Sequence, residues 1–211
     1  MSFLRRVSPV VVVLSVALAG CGGDKDDTAA PASSDPTTTT AAAPAVADLT
    51  TLIVAAPPAS GYEVFTDVYA PFDLQGYLDG FSTTPDADRA LLTAAGFVRG
   101  DARGWIDGSG TNYLAIFVLE FQDGAGAQSA RADILDQSRI LKDGTDFDVA
   151  GLEDARGQTY FEDTDSGPEA VDLVTLVRAN RLFLVAGQHA DPSVGPDLAI
   201  DLAAAQAAFV P

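Results

Sequence analysis

An acidic side chain interrupts a long apolar run of the sequence, at a position where a charge could do chemistry. Glu120 lies in the run from Tyr113 to Phe121 (YLAIFVLEF), which predicts a buried strand. Because a buried charge needs a partner, Arg99 or Arg103 on the preceding predicted strand could pair with it. The pattern favours a structural cross-strand ion pair, and the alternative is a carboxylate that recognises a ligand.

Trp105 and His189, the one tryptophan and the one histidine, are the next candidates. Trp105 stands near the end of a predicted strand, which is typical of a core or edge aromatic, although it could also be a platform on which a ligand stacks. We therefore take Glu120, Trp105 and Arg103 as candidate ligand-binding residues. His189 follows a predicted strand, which favours an exposed strand end over a base or metal ligand, and the sequence has no Gly-x-Ser-x-Gly elbow for a catalytic triad.

Metal and cofactor chemistry finds little support in the sequence. Zinc sites use cysteine and histidine, of which the chain has one each. The acidic segment 162–167 fails the EF-hand pattern, because Pro168 and Val174 stand where Gly and Glu are required, counting from Asp163. A solvated loop is favoured there over a looser calcium site. We expect no metal, no cofactor, no catalytic residue and no enzymatic activity.

Cys21 has the most specific surroundings of any reactive residue. Arg5 and Arg6 precede an apolar stretch, 7–19, that is too short to span a bilayer, and small residues follow it. These features are typical of a secretory signal peptide. Its last four residues, Leu18-Ala19-Gly20-Cys21, match the bacterial lipobox, in which the cysteine receives diacylglycerol and the chain is cut before it. The sequence thus predicts a lipoprotein signal peptide over 1–21 and lipidation of Cys21; the alternative is an ordinary signal peptide that contains a cysteine.

Composition limits the partners of the mature chain. There are 12 basic and 30 acidic residues, for a net charge of −18, which disfavours nucleic acid and attraction to anionic lipid head groups. One cysteine excludes a disulfide within the chain. Residues 22–47 are rich in Ala, Thr, Pro, Ser and Asp without an aromatic, which predicts a disordered linker.

Residues 48–211 have the length of one domain, and their pattern predicts alternating hairpins and helices. A short helix or strand over 49–54 precedes a loop at Gly61-Tyr62. Helices are expected over 86–95, 124–141 and 195–209; strands are expected over 97–106, 113–121, 157–161, 172–177 and 181–188, with a polar loop over 163–169.

This order predicts an α+β fold with an antiparallel sheet built from hairpins and helices packed against it. Each half of the domain ends in a hairpin followed by a helix, which suggests an internal duplication.

The segment 86–130 carries a resemblance to known proteins. Its elements are a helix ending at Ala95-Gly96-Phe97, the sequence Arg103-Gly104-Trp105, and an apolar strand that leads into Phe121-Gln122-Asp123. The segment resembles uncharacterised lipoproteins of high-GC Gram-positive (actinobacterial) bacteria, and more loosely the extracellular sensor-like α+β domains of actinobacterial kinases. The resemblance covers about a quarter of the chain and rests on packing motifs, so it implies no activity and no catalytic residue.

We therefore expect a lipoprotein anchored at the outer face of the cell membrane, with a binding or sensor-like domain for a small molecule or an envelope protein. One alternative is a cell-envelope enzyme, which a pocket gathering Glu120, His189 and an arginine would support. Another is a passive structural or chaperone-like lipoprotein with an exposed apolar patch.

Overall fold

The computed structural model describes residues 48–164, 167–191 and 194–210. The predicted signal peptide (1–21), with Cys21, and the predicted linker (22–47) lie outside the described residues and stay predictions. Within the described part of the chain, no helix is both long and apolar enough to cross a membrane.

An antiparallel sheet organises the domain, which confirms the α+β class. A 3₁₀ helix, Leu49–Leu52, opens the chain. Seven strands are described: β1 (Tyr62–Phe72), β2 (Phe97–Asp107), β3 (Asn112–Phe121), β4 (Thr145–Phe147), β5 (Arg156–Thr164), β6 (Gly167–Arg178) and β7 (Arg181–His189). The helices are α1 (Leu74–Gly80), α2 (Pro85–Ala94), α3 (Gly124–Leu141) and α4 (Asp197–Phe209). The strand order is β1-β2-β3-β7-β6-β5-β4.

The central pair of the sheet is β3 with β7, which are distant in sequence. Nine residue pairs, from Asn112 opposite His189 to Glu120 opposite Arg181, join the two strands. Their side chains alternate between two buried faces. Val118 and Phe183 belong to the core under α4 and the 3₁₀ helix, whereas Leu119 and Leu182 belong to the core under α2 and α3.

Polar side chains fasten the covering elements to one another and to the sheet. Gln206 of α4 is fully buried; its amide nitrogen donates to the carbonyl of Leu52 at 2.6 Å, and its oxygen accepts from the Val54 amide at 3.1 Å. On the other face, the hydroxyl of Ser138 in α3 donates to buried Gln158 of β5. Both helices are thus fixed by a buried amide as well as by apolar contact.

The first strand and helix of the sheet region, β1 and α1, are absent from the sequence prediction, which placed a loop at Gly61-Tyr62. The pattern of β1 is obscured because it is an edge strand with a break in register between Phe65 and Tyr69. Val68, within this bulge, lies over Gly104 of β2, where an added Cβ would come within 2.9 Å of the valine Cβ.

The polar loop predicted over 163–169 is also wrong. The strand pairing of β5 with β6 continues through Glu162 opposite Glu169 to Thr164 opposite Gly167. Because the end of β5 and the start of β6 are polar, the composition suggested a loop where the strand pairing continues.

Each half of the domain ends in a hairpin followed by a helix, β2-β3-α3 and β6-β7-α4, as the suggested duplication requires. However, α3 packs on one face of the sheet and α4 on the other. A twofold rotation that exchanges antiparallel β3 and β7 would keep both helices on one face, so the halves differ in this respect. Duplication stays a prediction.

Helices α2 and α3 are in close contact at one end. A Cβ added to Gly126, in the first turn of α3, would lie 2.1 Å from the carbonyl oxygen of Ala95, which caps the end of α2. The end of α2 therefore meets the start of α3, and only glycine permits this approach.

Replacement of Gly126 by alanine tests this contact. We expect Gly126→Ala to lower the free energy of unfolding by about 1 to 3 kcal/mol, because the new methyl group forces the helices apart, as measured by urea denaturation. Gly80→Ala is the matched control, because Gly80 also lies in a helix but has open space at its Cβ position. This variant should leave the free energy of unfolding unchanged or raise it by up to about 1 kcal/mol. Equal stability of the two variants would contradict the proposed contact.

Candidate functional site

Glu120 lies between two arginines. Nε of Arg99 on β2 donates to one carboxylate oxygen at 2.7 Å, which confirms the expected cross-strand pair. Arg181 on β7 donates to the other oxygen from Nε at 3.1 Å and from Nη2 at 3.0 Å. Partial burial of the carboxyl would raise its pKa, but the hydrogen bonds and charges of the two arginines outweigh it and lower the pKa. Both carboxylate oxygens are thus engaged within the chain.

Trp105 and Arg103 also have structural surroundings. Trp105 is 1% exposed and packs in the core on the α4 face, so a ligand has no ring surface on which to stack. Among the described residues, its Nε1 has no hydrogen-bond partner. The guanidinium of Arg103 donates from Nη1 to the carbonyl of Val54 at 2.8 Å, and fastens the segment after the 3₁₀ helix to β2.

The three predicted ligand-binding residues do not converge on one site. Trp105 is paired with Leu114, six residues before Glu120 on β3, a separation of about 20 Å at the usual rise of a strand. Their ligand-binding role stays a prediction, for which the geometry offers no shared cavity.

His189 is buried rather than exposed, which corrects the sequence interpretation. It is 3% exposed, and its Nε2 lies 2.8 Å from Oδ2 of Asp172 on β6. Its Nδ1 lies 2.8 Å from the backbone oxygen of Asp191. The hydroxyl of Thr159 on β5 donates to the other oxygen of Asp172. The chain of contacts ties β5, β6, β7 and the following loop together.

This arrangement differs from a catalytic triad. In a triad the nucleophilic hydroxyl bonds to the imidazole, whereas Thr159 bonds to the carboxylate and both imidazole nitrogens face acceptor oxygens. Glu120 and His189 are also far apart: Glu120 is opposite Arg181, eight residues before His189 on β7, or about 26 Å along the strand. The pocket that would have supported an envelope enzyme is therefore not formed by these residues.

A cleft of about 500 Å³ lies where the 3₁₀ helix meets β2 and α1. Its charged groups have partners within the chain: Asp73 caps α1 through the Gly76 amide at 2.8 Å, and Asp101 accepts from the hydroxyl of Thr50 at 2.8 Å. Arg99, also at this cleft, binds Glu120. Nowhere in the described ranges are three or more His, Cys, Asp or Glu grouped so that they could hold a metal ion.

A second cleft, of about 350 Å³, lies between α2 and α3, and we call it the α2–α3 groove. It is lined by Ala87, Leu91, Asp133, Asp136, Gln137, Ile140 and Leu141. Leu141 is 60% exposed and Ile140 76%. The buried face of α3 extends only as far as Ser138, because the last turn of the helix carries aliphatic side chains into the groove instead of the core.

Comparison with known proteins gives little further information. No protein-family model matches the chain, and no curated protein sequence matches it. Among solved structures, the extracellular domain of PknH from Mycobacterium tuberculosis is similar over 70% of this chain and 82% of that one, at 12% identity and a TM-score of 0.33. That domain belongs to the class that the sequence loosely resembles.

The ion pairs of Glu120 predict a specific pH dependence of stability. Because the fold lowers the pKa of this carboxyl, its contribution is present above the ordinary value of 4.5 and is lost as the pH falls through the lowered value. Glu120→Gln should therefore be less stable than the wild type by about 1 to 2 kcal/mol near pH 7, and the difference should shrink at about pH 3. Urea denaturation at the two pH values measures it.

Exposed Glu63 on β1 provides the control for that series. Glu63→Gln should change stability by less than about 0.5 kcal/mol. A Glu120→Gln deficit that is the same at both pH values would contradict the role of the charge.

The buried pair of Asp172 and His189 predicts strong energetic coupling. Asp172→Ala should cost about 3 to 5 kcal/mol in unfolding free energy, because it leaves the buried imidazole and the half-buried Thr159 hydroxyl without their shared acceptor. The double variant Asp172→Ala/His189→Ala should lose less unfolding free energy than the two single variants lose in sum, and the difference should exceed about 1 kcal/mol. Exposed Asp163→Ala on β5 is the control, and additive losses at Asp172 and His189 would disprove the coupling.

Proposed function

We propose that this protein is an extracytoplasmic lipoprotein, held at the outer face of the cell membrane by lipid on Cys21, and that the domain from Asp48 onward is a binding module for another envelope protein. The observation that carries the anchor is the position of one residue. The chain has one cysteine, and it stands at the end of a charged, apolar and small-residue segment, where a lipobox requires it.

The chemistry of acylation explains why this position matters. Each methylene group buried in a bilayer contributes about 0.8 kcal/mol, so one chain binds weakly and two or more bind durably. Diacylglycerol on the cysteine thiol supplies two. The net charge of −18 gives no electrostatic attraction to anionic head groups, so the proposed attachment depends on the acyl chains.

Binding is favoured over catalysis by how the polar side chains are used. Glu120, Asp172, His189 and Asp101 are all engaged in hydrogen bonds within the fold. The α2–α3 groove, in contrast, presents aliphatic side chains to solvent. Exposed apolar surface bordered by polar residues is typical of protein interaction sites.

The anchor is tested by changing its attachment point. Cys21→Ala should abolish incorporation of an alkyne-labelled fatty acid and should move the protein out of the acylated membrane fraction, because it has no other thiol to accept lipid. Labelling, fractionation and mass spectrometry of the mature amino terminus measure this. The wild-type protein, with and without an inhibitor of the lipoprotein signal peptidase, is the reference. A wild-type protein without acyl chains, or one retained in the cytoplasm, would refute the proposed location.

A further inference from the structure

The shape of the α2–α3 groove follows from the contact at Gly126. The end of α2 touches the start of α3 there, so the two helices lie side by side with antiparallel chain directions. Leu91 and Ala87 of α2 then face the second half of α3, where the groove lies. The helices meet at Gly126, and Ile140 and Leu141 line the groove at the other end of α3.

The apolar surface of the groove is continuous and accessible. Leu91 is buried at its floor, whereas Ile140 and Leu141 are the two most exposed of the large hydrophobic side chains that the structure describes. Two adjacent aliphatic residues in contact with water on one helix end lose the hydrophobic stabilisation that burial would give. A partner that covers them recovers it.

The rim of the groove is acidic. Asp133 and Asp136, one helical turn apart on α3, line it. Arg139 on the same helix pairs with Asp136 at 2.5 Å and with Asp146 at 2.9 Å, so two carboxylates share one guanidinium. Lys142, which follows Leu141, is paired with Glu162. The local charge is therefore negative, as is that of the whole chain.

This charge selects among possible occupants. A second copy would bring one acidic rim and one strongly acidic chain against another, which like-charge repulsion disfavours. A cationic partner with apolar side chains is complementary to both the floor and the rim.

The length of the groove indicates the kind of segment that fits. Its α3 wall runs from Asp133 to Leu141, which is about 12 Å, or two helical turns. A helix laid in a groove uses apolar side chains at positions i, i+4 and i+7. A short amphipathic helix matches this length and places its flanking side chains at the rim.

We propose that the α2–α3 groove binds a short amphipathic helix of a partner protein, with two or three aliphatic anchors flanked by lysine or arginine. This rests on the proposed binding function and adds the chemistry of the partner. The aliphatic anchors pack against Leu91, Ile140 and Leu141, and the basic residues face Asp133 and Asp136.

A model peptide tests the proposal on protein that carries no lipid. The absence of peptide binding is therefore distinguishable from the absence of the proposed lipid anchor. The chain from Gly22 to Pro211 is first tested for a cooperative thermal transition, which establishes that it is folded. It is then titrated into a fluorescent amphipathic Leu/Lys peptide while anisotropy is measured. A Leu/Glu peptide of the same pattern and a scrambled Leu/Lys peptide are the comparisons. We expect the amphipathic Leu/Lys peptide to bind at least about tenfold more tightly than either, with affinity that falls as salt rises.

Variants locate the binding. Ile140→Ser with Leu141→Ser should weaken binding about tenfold, and Asp133→Asn with Asp136→Asn should weaken it and reduce its salt dependence. Val98→Ser, at a half-exposed valine on β2, is the control and should leave binding unchanged. Equal binding of all three peptides, or wild-type affinity in the Ile140/Leu141 variant, would overturn the proposal. So would a dimer in sedimentation that this variant abolishes, since the groove would then bind a second copy.

Discussion

The pairing of β3 with β7 is the interaction on which the rest of the structure depends. It is the link within the described sheet between β1-β2 and β6-β5-β4, and it joins residues about 70 positions apart in the chain. Because both of its faces carry large apolar side chains, both must be covered, by α4 on one side and by α2 and α3 on the other. The ends of this pair carry the charged clusters: Glu120 with Arg181 at one end, and His189 with Asp172 at the other.

These polar side chains are consequently hydrogen-bonded within the domain. Long-range strand pairing and helix docking leave carboxylates, an imidazole and amides near apolar layers, where each needs a partner to offset lost hydration. Arg103 and Gln206 satisfy backbone groups of the segment that enters the domain. The residues that look most reactive in the sequence are therefore engaged within the fold, whereas aliphatic residues at the end of α3 are exposed.

Local patterns in the sequence predicted the elements whose signals are local. The bounds of α3 agree with the prediction, with Asp123 as its cap, because glycines, a capping acid and helical spacing all lie within the segment. Glu120 could be matched to Arg99 since β2 and β3 form a hairpin, but Arg181 could not, because β7 is a distant partner. His189 followed its strand like an exposed residue, and only Asp172 across the sheet explains its burial. Edge strand β1 was not predicted because its bulge breaks the alternation of apolar residues. The groove was not predicted because it depends on two helices that meet at Gly126.

The two outermost strands of the sheet are irregular or short. At one side β1 is interrupted by its bulge and ends in the pair Pro71-Phe72, and at the other side β4 has three residues. Neither edge offers a long, regular row of free amides and carbonyls onto which a neighbouring molecule could add a strand. Irregular borders of this kind would keep neighbouring copies from polymerising edge to edge, even at the high local density that the proposed membrane anchor would produce.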